Sequence, residues 1–132
     1  MENLVVPAPF EGKTILVVDD DREILNAIRT ALEETGATVV TALDGDEAIT
    51  MAESHRPGLV VLDAMLPKRS GFLVMDKLKG SDSAGKPRVI MITGNAGKRH
   101  QAWAESRGVD GYLSKPFRME RLLESAERLL AD

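Results

Sequence analysis

Short apolar runs alternate with longer amphipathic stretches along most of this chain. The runs are rich in Val, Ile and Leu and carry little charge, which is typical of parallel strands buried on both faces. They predict five strands, at Thr14–Val18, Ala37–Ala42, Leu59–Leu62, Arg88–Ile92 and Gly111–Leu113. In the stretches between them, apolar residues recur every three or four positions, as on the inward face of a helix.

Residues that start and stop helices bound these amphipathic stretches. Asp21 is placed to cap the first of them, and Gly36 follows its end. The predicted helices cover residues 24–32, Asp44–Ser54, Phe72–Lys79, Lys98–Arg107 and Met119–Ala131. Five strands that alternate with five helices indicate an α/β fold with one parallel sheet and helices on both faces.

The length and the composition limit the classes of protein to consider. A chain of 132 residues suits one domain, and we predict a surface tail over residues 1–12 and a domain over residues 13–132. The net charge of −4 does not favour nucleic acid as a partner. The absence of cysteine excludes disulfides, thiolate metal sites and cysteine nucleophiles. Because no apolar run approaches the length of a membrane span, we expect no membrane partner and a cytoplasmic location.

Polar residues follow four of the predicted strands. Asp19 and Asp20 follow the first strand, Asp63 the third, Thr93 the fourth and Lys115 the fifth. In open parallel sheets, sites form at the carboxyl ends of strands, so we expect these side chains to meet. Capping of a helix would equally explain the two neighbouring aspartates if they stood alone.

Three carboxylates that meet at one edge repel each other unless a cation offsets their charge. Donor sets made only of oxygen favour a hard cation, and Mg²⁺ suits best because it leaves room for phosphate oxygens. A lysine ammonium and a threonine hydroxyl also suit a phosphoryl group. One carboxylate can then act as a nucleophile and form an aspartyl phosphate.

Four motifs in this order resemble the receiver domain of response regulators in two-component signalling. They are VVDDD at Val17–Asp21, LVVLDAMLPKRSGF at Leu59–Phe72, MITG at Met91–Gly94 and GYLSKPF at Gly111–Phe117. The resemblance covers essentially all of Gly12–Asp132 and is closest to stand-alone, chemotaxis-type regulators. It implies a flavodoxin-like (βα)5 three-layer sandwich whose strands lie in the order 2-1-3-4-5.

The resemblance also implies roles for the residues at the strand ends. Asp63 corresponds to the phosphoacceptor, and Lys115 to the lysine that contacts the phosphoryl group. Asp19, Asp20 and Asp63 would hold Mg²⁺, together with the backbone carbonyl of Met65.

Two further residues match the family's switch positions, Thr93 as the switch hydroxyl and Tyr112 as the switch aromatic. A cis peptide bond is implied between Lys115 and Pro116.

The implied activity is transfer of a phosphoryl group from a phosphohistidine to Asp63. The donor would be a sensor histidine kinase or a histidine phosphotransfer protein. The face formed by the fourth helix, the fifth strand and the fifth helix would then change shape and bind a downstream protein or a second copy of the chain. Such a domain is not an enzyme in the usual sense, because it catalyses only its own phosphorylation and dephosphorylation.

Other functions stay open at this point. A degenerate receiver would act only as a protein-binding module, although the complete set of site residues counts against it. An aspartyl-phosphate phosphatase usually needs an acid or base two residues after its nucleophile, and Met65 stands there. A flavin or nucleotide binder would need a glycine-rich loop after the first strand, where three aspartates stand instead. We also hypothesise that Trp103 is partly exposed on a partner surface.

Overall fold

Strands and helices alternate in the computed structural model, which describes residues 9–66, 70–79, 86–94 and 98–131, without the side chains of residues 72, 98–100 and 103. The strands of the described chain are β1 (Thr14–Val18), β2 (Thr38–Ala42), β3 (Leu59–Asp63), β4 (Arg88–Thr93) and β5 (Gly111–Ser114). The helices are α1 (Arg22–Glu33), α2 (Gly45–His55), α3 (Gly71–Lys79), α4 (Lys98–Ser106) and α5 (Met119–Leu130). The elements match the sequence prediction, with ends that shift by one or two residues.

The strands form one parallel sheet in the order β2-β1-β3-β4-β5, which confirms the predicted topology. β2 lies on one side of β1, whereas β3, β4 and β5 follow in succession on the other side. The strand order therefore reverses between β1 and β3. Residue pairs near the carboxyl edge include Val18 with Leu62, Asp63 with Ile92 and Thr93 with Ser114. The carboxyl ends of β1, β3, β4 and β5 are therefore successive neighbours at one edge.

The two faces of the sheet are covered by different helices. On one face, Ile28 and Leu32 of α1 and Leu122 and Ala126 of α5 form one buried cluster with alternate strand residues. On the other face, residues of α2 and α3, including Ala48 and Met75, form a second cluster. Alternate residues of a strand point to opposite faces, so β1 and β3 supply apolar side chains to both clusters.

The last turn of α4 is fixed by a glycine in the left-handed conformation. Gly108 has φ +95°, and the N–H of Val109 donates to the carbonyl of Ala104 at 3.3 Å, as in a Schellman motif. Ala104 is buried, and α4 packs along β5. The hypothesis that Trp103 is partly exposed falls on a side chain outside the described residues.

Phe10 is an exception to the surface position expected for residues 1–12, because it is buried while Pro9, Glu11 and Gly12 are exposed; residues 1–8 lie outside the described residues. Phe10 is 3% exposed and belongs to the cluster that contains Leu32 and Ala37. Its N–H donates to the carbonyl of Thr35, and its carbonyl accepts from the N–H of Lys13. One large apolar side chain gains enough free energy from burial to hold this turn against the domain. The predicted boundary at residue 13 stays a prediction.

Within the described residues, no helix is both long enough and apolar enough to cross a membrane.

Candidate functional site at the carboxyl edge of the sheet

Asp63 is the last residue of β3, the central strand of the sheet. Its side chain is 5% exposed, and its Oδ1 accepts a hydrogen bond from the N–H of Met65 at 3.0 Å. A buried carboxylate needs such partners, because each lone pair without one costs free energy. The strand therefore delivers Asp63 to the edge, and the turn that follows fixes its orientation.

Asp19 and Asp20 follow β1, which lies beside β3. Asp19 is 1% exposed, and its Oδ1 accepts from the N–H of Asp21 at 2.9 Å, whereas Asp20 is exposed. A carboxylate oxygen from each of Asp19, Asp20 and Asp63 lies within 4.8 Å of the other two. The structure thus brings together the three acidic residues that the sequence singled out.

The cap of α1 is Asp21, not either of the two preceding aspartates. Its side chain accepts from the N–H groups of Glu23 and Ile24. Capping of α1 therefore does not account for the positions of Asp19 and Asp20, and the alternative interpretation of these two residues fails.

Lys115 links the two buried carboxylates. Its Nζ lies 3.1 Å from Oδ2 of Asp19 and 3.3 Å from Oδ2 of Asp63, with the lysine side chain 23% exposed. Its backbone N–H donates to the carbonyl of Thr93 at 2.7 Å, which ties the end of β5 to the end of β4. The Lys115–Pro116 bond is cis, as the resemblance implied.

The pKa values of this pair reflect burial and mutual charge. Burial raises the pKa of Asp63, and the nearby charge of Asp19 adds to this effect, while the N–H of Met65 and the ammonium of Lys115 oppose it. Burial alone would lower the pKa of Lys115, but hydrogen bonds and charges from Asp19 and Asp63 outweigh it and raise the pKa. The lysine is thus held as a cation, and the Asp63 carboxylate is more basic than an exposed one.

Thr93 and Tyr112 lie on the neighbouring strands. Thr93 ends β4, is fully buried and stands opposite Ser114 in the sheet. Tyr112 stands opposite Met91, packs partly against the α2–α3 cluster, and has its pKa raised by burial. Both side chains are therefore on the strands that lead to α4 and α5, where the resemblance places the switch.

The orienting role of backbone amides escaped the sequence analysis. The N–H groups of Asp21 and Met65 each hold the Oδ1 of the carboxylate two residues earlier. The signal in the sequence was an Asp directly after or at the end of a strand, because an Asp side chain often accepts a hydrogen bond from the backbone N–H two residues later. The sequence analysis also assigned no role to Gly71, where a Cβ would overlap the carbonyl oxygen of Asp63 and lie 2.8 Å from Cα of Ala64.

The donor set fits Mg²⁺. Three carboxylates lie together with one lysine to offset them, and the exposure of Asp20 leaves a side open to water. Mg²⁺ takes one or two carboxylates and keeps several waters, which matches such a half-open cluster. The role of the Met65 carbonyl as a further ligand stays a prediction.

Fold and site together define a class, the doubly wound α/β domains with an acidic site where the strand order reverses. The family model described as "Response regulator receiver domain" matches residues 15–127. The chain belongs to this family, whose members are receiver domains of two-component response regulators and act in signalling.

Individual proteins show the same likeness. The alkaline phosphatase synthesis transcriptional regulatory protein PhoP of Bacillus subtilis is 38% identical over 106 residues, which are 80% of this chain and 43% of that protein. Protein PilG of Pseudomonas aeruginosa is 31% identical over 86% of this chain and 84% of its own length.

A solved structure also matches. The chemotaxis protein CheY4 of Vibrio cholerae has 28% sequence identity and a TM-score of 0.82, over 89% of this chain and 98% of that one. The chain spans about half the length of PhoP and of other curated relatives it matches, and 84% of the length of PilG.

Proposed function

We propose that this domain accepts a phosphoryl group on Asp63 from a phosphohistidine. The donor is a sensor histidine kinase or a histidine phosphotransfer protein. One observation carries the proposal: a buried carboxylate with a raised pKa lies 3.3 Å from a lysine ammonium and beside two further carboxylates at the edge of the sheet. Structural needs alone do not explain three acidic side chains at one edge, because their mutual repulsion costs stability.

In the proposed reaction, a carboxylate oxygen of Asp63 attacks the phosphorus atom. The bond between oxygen and phosphorus forms while the bond between phosphorus and the donor's imidazole nitrogen breaks, and that nitrogen keeps the electron pair. The N–H of Met65 holds the carboxylate in one orientation, which reduces the entropy lost on reaching the reactive geometry. Lys115 is placed to pair with the phosphoryl oxygens that gain charge.

Asp19, Asp20 and Asp63 would hold Mg²⁺, with the Met65 carbonyl as a further ligand. When bound, the ion supplies positive charge that offsets the phosphoryl oxygens. Asp19 and Asp63 are both buried, and each is fixed by one hydrogen bond from a backbone N–H and one from Lys115, so both carboxylates are oriented for this role. Asp20 is exposed and keeps its side of the cluster open to solvent.

The proposed output runs through β4 and β5. Phosphorylation adds charge and strong acceptor oxygens to Asp63, and the hydroxyl of Thr93, buried at the end of the neighbouring strand β4, would donate to them. A shift of Thr93 toward the phosphoryl group would also move the end of β5, because the N–H of Lys115 donates to the Thr93 carbonyl. Tyr112 then changes position, and the face of α4, β5 and α5 takes a shape that a downstream protein or a second copy of the chain prefers. The proposal includes no nucleic-acid partner and no membrane partner. It takes the cytoplasm as the location of the domain.

Acetyl phosphate tests the chemistry without a partner protein. The domain is incubated with Mg²⁺ and acetyl phosphate, and intact-protein mass spectrometry follows a phosphoryl adduct that is stable to acid and labile to base. We expect the adduct on the wild type, none on Asp63→Ala, and none when EDTA removes the metal.

The matched control is Asp44→Ala, which removes an aspartate that follows β2 and is not one of the three clustered carboxylates. It should be phosphorylated like the wild type. An adduct on Asp63→Ala equal to that of the wild type, or none on the wild type, would rule out the proposed reaction and leave a binding module.

A further inference from the structure

Asp21 makes two kinds of contact at the turn between β1 and α1. Its side chain caps α1, with Oδ1 accepting from the N–H of Glu23 at 3.0 Å and of Ile24 at 3.4 Å. Its own N–H donates to Oδ1 of Asp19 at 2.9 Å. One residue therefore joins the start of a helix to a buried carboxylate of the site.

The two buried carboxylates of the site are held in the same way. In both Asp19 and Asp63, Oδ1 accepts from the backbone N–H two residues later, and Oδ2 faces the ammonium of Lys115. Asp19 is 1% exposed, so water is not an easy substitute for a lost amide partner.

The direction of the Asp21 N–H depends on the backbone of the turn. Asp21 has φ −85° and ψ 109°, the extended conformation of a helix cap, and its side-chain bonds to the first turn of α1 stabilise that conformation. Removal of the side chain leaves the amide in place but frees the turn to move. The cap thus acts on Asp19 through the backbone and does not itself contact a bound ion or a phosphoryl group.

We infer that Asp21 is a positioning residue for the Mg²⁺ site, acting by fixing the orientation of Asp19. The inference rests on the proposed function, because it takes Asp19 as a ligand of the ion. It goes beyond helix capping, since a cap that only stabilised α1 would leave the affinity for Mg²⁺ unchanged in the folded protein.

Titration calorimetry of the folded domain with MgCl2 tests the inference. Asp21→Ala should weaken Mg²⁺ binding about tenfold, the lower end of the range for losing a group that orients a metal ligand. Asp21→Asn and Asp21→Ser retain a capping oxygen and should stay within about twofold of the wild type, because only an exposed, screened charge is lost.

The matched control is again Asp44→Ala. Asp44 caps α2 by accepting from the N–H of Glu47 at 2.8 Å, so its removal costs the same kind of helix stability at a different strand end. Its Mg²⁺ affinity should equal that of the wild type. The inference is overturned if Asp21→Ala binds Mg²⁺ like the wild type. It is overturned equally if Asp21→Asn and Asp21→Ser weaken binding as much as Asp21→Ala does, since loss of charge is then the cause. Weaker binding by Asp44→Ala would also overturn it, since loss of helix stability would then be the cause.

A metal-free measurement separates this inference from the proposed function. Hydrogen exchange followed by NMR reports on the Asp21 amide, which should exchange about tenfold faster in Asp21→Ala and stay protected in Asp21→Asn. Unchanged protection in the Ala variant contradicts the inference whatever the phosphorylation result. If the wild type takes no phosphoryl group while the exchange and Mg²⁺ results hold, the proposed function fails and the positioning role stands.

Discussion

The Nζ of Lys115 lies 3.3 Å from Oδ2 of Asp63, and the same ammonium lies 3.1 Å from Oδ2 of Asp19. The lysine comes from the end of β5, whereas the two carboxylates come from the ends of β3 and β1. Its single positive charge offsets part of the negative charge of the two buried carboxylates. In the presence of a metal ion, the same positive charge competes with the ion for those oxygens.

Lys115→Met should therefore raise the affinity for Mg²⁺ and lower the rate of phosphorylation. In EDTA, loss of the ammonium should lower the free energy of unfolding by about 2 kcal/mol, because buried carboxylates lose their cation. Mg²⁺ should bind more tightly than to the wild type, since no positive charge opposes it, while phosphorylation by acetyl phosphate should be slower. Urea denaturation, calorimetry and mass spectrometry measure the three effects. Lys115→Arg, which keeps the charge, is the control; equal stability of Lys115→Met and wild type in EDTA would contradict the prediction.

Asp63 should give the metal-free domain a pH-dependent stability. Because the pKa of Asp63 is raised in the folded state, the folded protein binds its proton more readily than the unfolded chain. Stability therefore falls as the pH rises from the ordinary aspartate pKa through the higher folded-state pKa, and it stays lower above that window. Asp63→Asn lacks this decline and should be the more stable protein at pH 7–8 in EDTA.

The measurement for Asp63 is the free energy of unfolding from urea titrations across the acidic range. Added Mg²⁺ should stabilise the wild type by mass action and should stabilise the Asn variant less. A wild type as stable as Asp63→Asn at pH 8 in EDTA would show that burial of this carboxylate carries no cost.

Gly71 should be intolerant of any side chain. A Cβ at this position would overlap the carbonyl oxygen of Asp63 and crowd Cα of Ala64 at 2.8 Å, and both are backbone atoms that cannot rotate away. We expect Gly71→Ala to lower stability by about 2 kcal/mol or more and to slow phosphorylation, because the turn that orients Asp63 must shift. Thermal and urea unfolding measure the first effect and the acetyl phosphate assay the second.

Gly58→Ala serves as the comparison for Gly71. A Cβ there would make only an ordinary contact, 3.7 Å from Cδ2 of Leu130, and Gly58 precedes β3 at the opposite edge of the sheet. It should change stability by less than about 0.5 kcal/mol. If both alanine variants lose the same stability, crowding against Asp63 is not the reason.

Arg56 should be a site where glycine stabilises the domain. It ends α2 in the left-handed conformation with φ 46° and ψ 60°, and its side chain is exposed. For a residue with a Cβ this conformation costs about 1 kcal/mol of conformational free energy, whereas for glycine it does not. Arg56→Gly should raise the melting temperature by a few degrees, with phosphorylation unchanged. Arg56→Ala keeps the strain and should melt like the wild type; a gain as large as that of glycine would mean that the arginine charge, not the backbone, is responsible.

The sequence predicted most of the site because each functional side chain stands at the end of a readable strand. The buried runs before Asp19, Asp63 and Thr93, and the shorter, partly exposed run before Lys115, could be recognised from the pattern of apolar residues. The family resemblance then implied the strand order, which the structure confirms. Phe10 was misjudged because it stands outside the periodic apolar runs, so no local pattern revealed that it is buried.

Periodicity along the chain depends on local burial, so the sequence by itself determined the elements, the parallel sheet and the set of polar strand ends. The tertiary structure decided which atoms of those strand ends contact each other. Which oxygen of Asp19 accepts from Asp21 and which faces Lys115, and why Gly71 must lack a side chain, depend on distances of a few ångström between elements far apart in the chain. Such distances are set by packing of the whole sheet and its helices, and no local pattern of residues encodes them.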